Sequence, residues 1–201
     1  RHGQRGNRRH GQRARPGAGG RREASLGRKN PGGQRPRATA AAFAEKAALT
    51  KSSFNKIFWN EAGNYLYDDI DENGIPNGEI RPNQLFAISL PFTLVDDDKK
   101  AKAILKVVEE NLYTHVGLKS LPKSDVHYIP VYGGDAWHRD SSYHEGTVWS
   151  WLLGAYIDAV MKVEKKPAKA KKIIHAFKYH LNEGCIGQVS EIFDADEPHH
   201  P

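Results

Sequence analysis

The first 37 residues contain no Phe, Tyr or Trp and a single leucine, Leu26. Fixing a residue's backbone costs about 1–2 kcal/mol, and only buried apolar surface can offset that cost. A stretch made mostly of Arg, Gly and Gln has almost none to bury, so it is expected to stay disordered. Whatever folds must therefore be built from the remainder. The charge divides at the same place: residues 1–40 carry a net +11, whereas the chain as a whole carries +6, which leaves −5 on the other 161 residues. The high pI thus describes the tail and says nothing of what the body binds. Three readings of the tail remain open. It is a solvated linker, a nucleic-acid-binding arm that lacks any aromatic side chain to stack on bases, or GC-rich coding sequence read out of frame. The last suits the preference for Arg over Lys and the abrupt change near Ala38. We divide the chain into a disordered tail, 1–40, and a body, 41–201.

The body is long enough for one domain with a real core. Its lone cysteine, Cys185, excludes an internal disulfide framework and fits a reducing, cytoplasmic setting. No apolar run approaches the roughly 18–20 residues of a membrane span, and the basic start is not followed by the apolar segment of a signal peptide. Because the chain opens with Arg and not Met, it reads as a piece of a longer protein.

From Ala38 the pattern is helical, with Phe43, Ala47, Phe54 and Phe58 at helix spacing up to about Gly63. GNYLYDDIDENGIPNGEI follows as a loop or short hairpin, with alternating Tyr65 and Tyr67 and turn signals at Asn73-Gly74 and Asn77-Gly78. Pro82 suits the first turn of a helix running to Pro91. Asp96, Asp97 and Asp98 suit the start of the next, whose apolar stripe is Ala101, Ile104, Leu105, Val108 and Leu112. A long loop over 114–142 comes next, a length usually reserved for function. Two more helices, HEGTVWSWLLGAYIDAVMKV and PAKAKKIIHAFKYHLNE, precede a final loop. About five helices and at most a short hairpin make the expected fold all-α, a toroid of paired helices with its long loops gathered at one end.

The segment 132–151, YGGDAWHRDSSYHEGTVWSW, carries three of the four tryptophans together with His, Arg, Asp and Glu side chains. Indole and phenol faces cover the apolar C–H surface of a sugar ring, and charged groups hydrogen-bond to its hydroxyls. An ordinary polar loop before an amphipathic helix explains the same letters, and the local sequence does not separate the two readings. Metal chemistry finds little support: His138 and His144 lie six apart with no Cys or Glu at a ligand spacing, and His199 and His200 sit at the chain end. No metal or organic cofactor is expected.

FNKIFWNEAGNYLYDDID, IRPNQLFAISLPF, RDSSYHEGTVWSWLLGAYIDAV and IGQVSEIFDAD, in that order, resemble the amylo-alpha-1,6-glucosidase family, which includes the C-terminal glucosidase domain of glycogen debranching enzymes. The resemblance covers about residues 41–197. It implies part of an (α/α)6 toroid and hydrolysis of α-1,6-linked glucose at branch points of glycogen or a related α-glucan, with no metal, membrane or specific nucleic acid involved. Such inverting hydrolysis uses an acid and a base carboxyl about 6.5–9.5 Å apart. The resemblance places the base at Glu191 and the acid on an Asp upstream of the matching segments, for which no counterpart is found. It also implies a substrate site drawing on Arg81, Gln84, Asp140, Tyr143, His144, Glu145 and Trp149, with Asn83 beside them. The related pattern reads YHQGTVWPWLLG, so Glu145 replaces a Gln and Ser150 a Pro. The first change adds a negative charge able to raise a neighbouring carboxyl's pKa. A trehalase- or glucoamylase-like toroid and a non-catalytic carbohydrate-binding remnant remain the alternatives.

Overall fold

A computed structural model describes residues 35–201; of the expected disordered tail, 1–40, residues 1–34 lie outside the described residues, whereas 35–40 begin a helix. Helix α1 spans Arg35–Ile57. Its far part leaves Phe43 and Leu49 exposed, whereas Phe54 and Phe58 stack at 4.8 Å and pack against the core. The Asn55 side chain donates to the Leu94 carbonyl at 2.7 Å, fixing this end of α1 to the body. The helix stops earlier than its spacing suggests because Trp59 enters a strand. Strand β1, Trp59–Asn60, pairs with β2, Tyr65–Leu66, in a hairpin. The turn between them is closed by Asn60, whose side chain accepts from the Ala62 and Gly63 amides.

Pro82–Leu85 forms a 3-10 turn that continues into a one-turn helix α2, Phe86–Ser89. Helix α3, Asp98–Asn111, is capped by Asp97, whose carboxylate accepts from the Lys100 amide at 2.8 Å. Every residue of its expected stripe is buried, with Ile104, Val108 and Leu112 fully so. Helix α4 covers Ala136–Ser142. Helix α5, Leu152–Ala159, runs on into a π-turn, Val160–Glu164, and α6, Pro167–His180, opens on Pro167. Among the described residues no helix is long and apolar enough to cross a membrane.

The strands correct the all-α expectation. β3 (Tyr113–Thr114), β4 (Gly117–Lys119), β5 (Val148–Trp149) and β6 (Ile192–Phe193) form an antiparallel sheet in the order β3-β4-β5-β6. Leu118 faces Trp149, which in turn faces Ile192. Strands of two or three residues are too short to show the period-2 alternation by which strands are read. The region 114–142 therefore holds β4 and α4 as well as loop, and the helix expected to start at His144 starts only at Leu152. The described helices do not close into a ring. The core lies where α3, α5 and α6 meet the sheet, through Leu85, Ile88, Leu105, Leu118, Leu152, Tyr156 and Ile173.

Gly117 is the closest approach in this sheet: a Cβ there would lie 2.6 Å from the Trp149 carbonyl oxygen and from Val148. Backbone cannot yield as a flexible side chain would. Gly117→Ala is expected to lower unfolding free energy in urea by about 1–3 kcal/mol, the usual cost of overpacking. Gly133→Ala, with nothing within 4 Å of the new methyl, is expected to stay within about 0.5 kcal/mol of the parent.

Candidate functional site

The residue that assembles the site is Arg81. Preceding the 3-10 turn in extended backbone, it reaches across to two other loops. Its Nε donates to Glu79 at 2.9 Å, and its Nη2 contacts Glu79 at 2.8 Å and Glu145 at 3.5 Å. The remaining N–H groups donate to the backbone carbonyls of Ser120 and His144. A guanidinium offers five N–H donors in a rigid fork, and here all five face protein acceptors. Arg81 thus joins the segments around residues 79, 120 and 145. The charge brought by Glu145 in place of an amide is met by this guanidinium.

The third loop is turned by Gly146, whose φ of +135° and close approach to the Ile129 carbonyl exclude a side chain. Its amide donates to Ser120 Oγ at 2.9 Å. Just before it, His144 stacks on Trp149 with ring centroids 5.7 Å apart and planes 16° from parallel. Tyr143 meets the same indole edge-on at 4.7 Å, and Trp149 Nε1 donates to the Tyr143 carbonyl. Trp151, more than half exposed, stacks on Phe86. Of these rings, His144, Trp149 and Trp151 line a cleft of about 510 Å³ that is also lined by Asp68, Asp69, Asn77, Glu79, Arg81, Asn83 and Ser120. That size falls within the roughly 300–1,000 Å³ of small-ligand sites.

The acidic part of the lining is built by a turn over 68–79. The Asp71 carboxylate accepts from the Asn73 and Ile75 amides at 2.9 and 2.7 Å, and Ile70 bridges to Pro76. Asn77 holds the two arms together, accepting at its carbonyl from the Asp68 amide and donating from its side chain to Asp69. Burial pushes the Asp68 carboxyl above the usual carboxylate range; Arg81 and a hydrogen bond from Asn83 oppose that rise only in part. A carboxyl pushed up by burial in a cleft is a candidate functional group.

The structure brings together Arg81, His144 and Trp149 along the cleft, with Glu145 joined to them through Arg81. Gln84 lies elsewhere: it is buried, accepts from the Leu66 amide and donates to the Arg81 carbonyl, so it supports Arg81 from behind. Asp140 is exposed on α4, its carbonyl capping the helix through the Tyr143 amide. Tyr143 backs the Trp149 indole. Glu191 is exposed and is not among the cleft-lining residues, but its backbone carbonyl accepts from both the amide and the hydroxyl of Ser150, each at 3.2 Å. It therefore sits beside the residue that separates Trp149 from Trp151. Of the tryptophans in 132–151, Trp137 stands exposed on α4, outside the cleft lining.

Sequence reasoning missed Asp68, Asp69, Asn77, Glu79 and Ser120. The first four lie in YLYDDIDENGIPNGE, where acid and Asn side chains were read as turn punctuation. The adjacent carboxylates after an aromatic alternation were the signal available. Ser120 had none.

Asp68 also has a signature in solution. Because its folded pKa is raised, the native state holds the proton more tightly than the unfolded chain, whose Asp titrates near 3.9. Stability from this group is fully present below that value and is lost as pH rises through the raised folded pKa. Asp68→Asn is therefore expected to raise Tm at pH 7 relative to the parent and to flatten the change in Tm from pH 4 to pH 7. A lower Tm for the variant across that range would contradict the assignment.

With this geometry in view, the sequence profile of the amylo-alpha-1,6-glucosidase family matches residues 23–201. A stretch of 102 residues is 32% identical to the glycogen debranching enzyme of Saccharomyces cerevisiae, covering 47% of this chain and 7% of that protein. The matching stretch is thus a small part of the relative's length.

Proposed function

The chain belongs to the amylo-alpha-1,6-glucosidase family, and on that premise we propose that its cleft receives the terminal glucose of an α-1,6 branch in glycogen or a similar glucan. The observation that carries this reading is the pairing of an aromatic lining with an acidic one in a cleft held by Arg81. The Trp149–His144 pair and Trp151 cover the C–H faces of the sugar, while Asp68, Asp69 and Asn83 hydrogen-bond to its hydroxyls. Arg81, with all its donors occupied, acts as the scaffold of the site.

Glu191 is assigned as the base that activates water in an inverting two-carboxyl hydrolysis. Its backbone attachment to Ser150, between two indoles of the aromatic wall, supports this role. The proton donor is an Asp from a segment outside 41–201, and the helices described here form part of an (α/α)6 toroid that other segments complete. A cytoplasmic setting accords with the single cysteine. The exposure of Glu191 favours a second reading, a carbohydrate-binding domain without turnover.

Titration of the chain with isomaltosyl oligosaccharides, followed by tryptophan fluorescence, is expected to show saturable binding. Trp151→Ala should weaken it by up to about tenfold, since ring stacking contributes roughly 0.5–1.5 kcal/mol. In a longer version that carries both carboxyls, Glu191→Gln should cut glucose release from a branched limit dextrin by about 10²–10⁴-fold and leave affinity within about twofold. Release undiminished by that change would remove Glu191 as the base. Saturable binding with no release from any version would establish the second reading, and no binding at all would remove both.

A further inference from the structure

A second cluster of chemically able side chains lies on the far strand edge of the molecule, among residues the cleft does not use. His115 is exposed in the turn between β3 and β4, and His199 and Glu197 belong to the segment after β6. One ligand atom from each of the three lies within 4.8 Å of the others, although His115 and His199 are 84 positions apart.

His199 is the informative member. It is buried, and its φ of +60° is a left-handed conformation that side chains other than Gly rarely adopt. Its Nδ1 lies 2.9 Å from the Asp194 carbonyl oxygen. A carbonyl only accepts, so Nδ1 is the donor of this bond and Nε2 is the nitrogen turned toward Glu197. A backbone carbonyl holding the remote N–H is the arrangement that orients metal-bound histidines.

Nε2 stands 3.3 Å from Glu197 Oε1. A direct charge-assisted bond draws such atoms to about 2.7–2.9 Å. Two ligands about 2.0–2.1 Å from a tetrahedral zinc lie roughly 3.3–3.4 Å apart along the tetrahedron's edge. The 3.3 Å spacing fits that edge. The His115 ring, its centroid 5.4 Å from that of His199, supplies the third position.

The supports are built in as well. Thr114 Oγ1 accepts from the Val116 amide and donates to the Gly117 carbonyl, shaping the turn that carries His115. The amides of Ala195 and Asp196 both donate to the Pro130 carbonyl, and the His199 amide donates to that of Asp196. Two lysines lie close by. Lys123 is paired with Asp196 at 2.7 Å, and Lys119 stands over the Tyr128 ring. A competing trio, Glu79, Asp125 and His127, has comparable spacing, but its Glu79 is already occupied by the Arg81 guanidinium.

We propose that His115, Glu197 and His199 bind a zinc ion through two imidazoles and one carboxylate, with water completing the shell. The ion would clamp the segment that follows Glu191 and β6 to the β3–β4 turn. Its role is structural, and it is independent of the reading of the cleft.

The test is titration of the full 201-residue chain, freed of metal, with zinc chloride, followed by calorimetry and thermal melting. Cobalt(II) serves as a visible-absorbing stand-in. One zinc per chain, a saturable rise in Tm, and intense cobalt bands of a tetrahedral site are expected. His115→Gln and Glu197→Gln alter exposed side chains, so folding is retained, and each should weaken zinc affinity at least tenfold. His127→Gln should leave it unchanged. Absence of one-to-one binding, or affinity unchanged in both His115→Gln and Glu197→Gln, would overturn the proposal, as would loss of binding in His127→Gln alone.

Discussion

One guanidinium holds three loops in register. Without Arg81, the Glu79 and Glu145 carboxylates would lose the guanidinium they share, and the carbonyls of Ser120 and His144 would lose their donor. The aromatic wall depends on it at one remove. His144, stacked on Trp149, is attached to the rest of the cleft through the Arg81 bond to its own carbonyl. The Arg81–Glu79 pair, in which two guanidinium nitrogens converge on one carboxylate oxygen, gains charge-assisted bonds and also costs desolvation. The fold sets that cost against placement: the same contacts bring the acidic turn into one cleft with the indoles.

The support for Arg81 comes from the core beneath it. Gln84, one turn on, binds the Arg81 carbonyl and accepts from the Leu66 amide, so the 3-10 turn is tied to the β1–β2 hairpin. Leu85 follows fully buried, in the cluster with Ile88, Leu105 and Leu152. The cleft is therefore an extension of the hydrophobic core at its polar edge. The buried side chains position the backbone, the backbone positions Arg81, and Arg81 positions the loops.

What the sequence disclosed follows from the range of each signal. Helix α3 was legible in full because a capping Asp, a dipole-compatible first turn and a five-residue stripe all act within one helix. α6 was legible from Pro167 and its apolar spacing in the same way. The sheet was not, since each strand contributes two or three residues and the β4–β5 and β5–β6 pairings join residues about 30 or more positions apart, as for Leu118 and Trp149. TVW in the segment before α5 was read as helix for that reason: Val148 and Trp149 fit either periodicity over so short a run, and only pairing with β4 and β6 decides. Arg81, His144 and Trp149 were named from residue chemistry and resemblance, and the structure lines one cleft with them. The structure then moved Gln84 and Tyr143 into supporting places and brought forward Asp68, which local letters had presented as part of a turn.

The two departures from the related pattern show how such a site absorbs change. At 145 an amide gives way to a carboxylate, and the new charge is placed against a guanidinium that already gathers acidic and carbonyl oxygens, so the local field changes less than the substitution alone would suggest. At 150 a residue without an N–H gives way to serine, which adds two donors where proline has none. Both are used: the amide binds the Glu191 carbonyl, and the hydroxyl reaches the carbonyls of Ser190 and Glu191. With proline the approach of this strand would rest on the β5–β6 ladder alone, and the fixed φ would supply the rigidity that hydrogen bonds supply here. The serine thus exchanges a constraint on its own backbone for a constraint between strands, and the residue held by that exchange is the one that bears the 191 carboxylate.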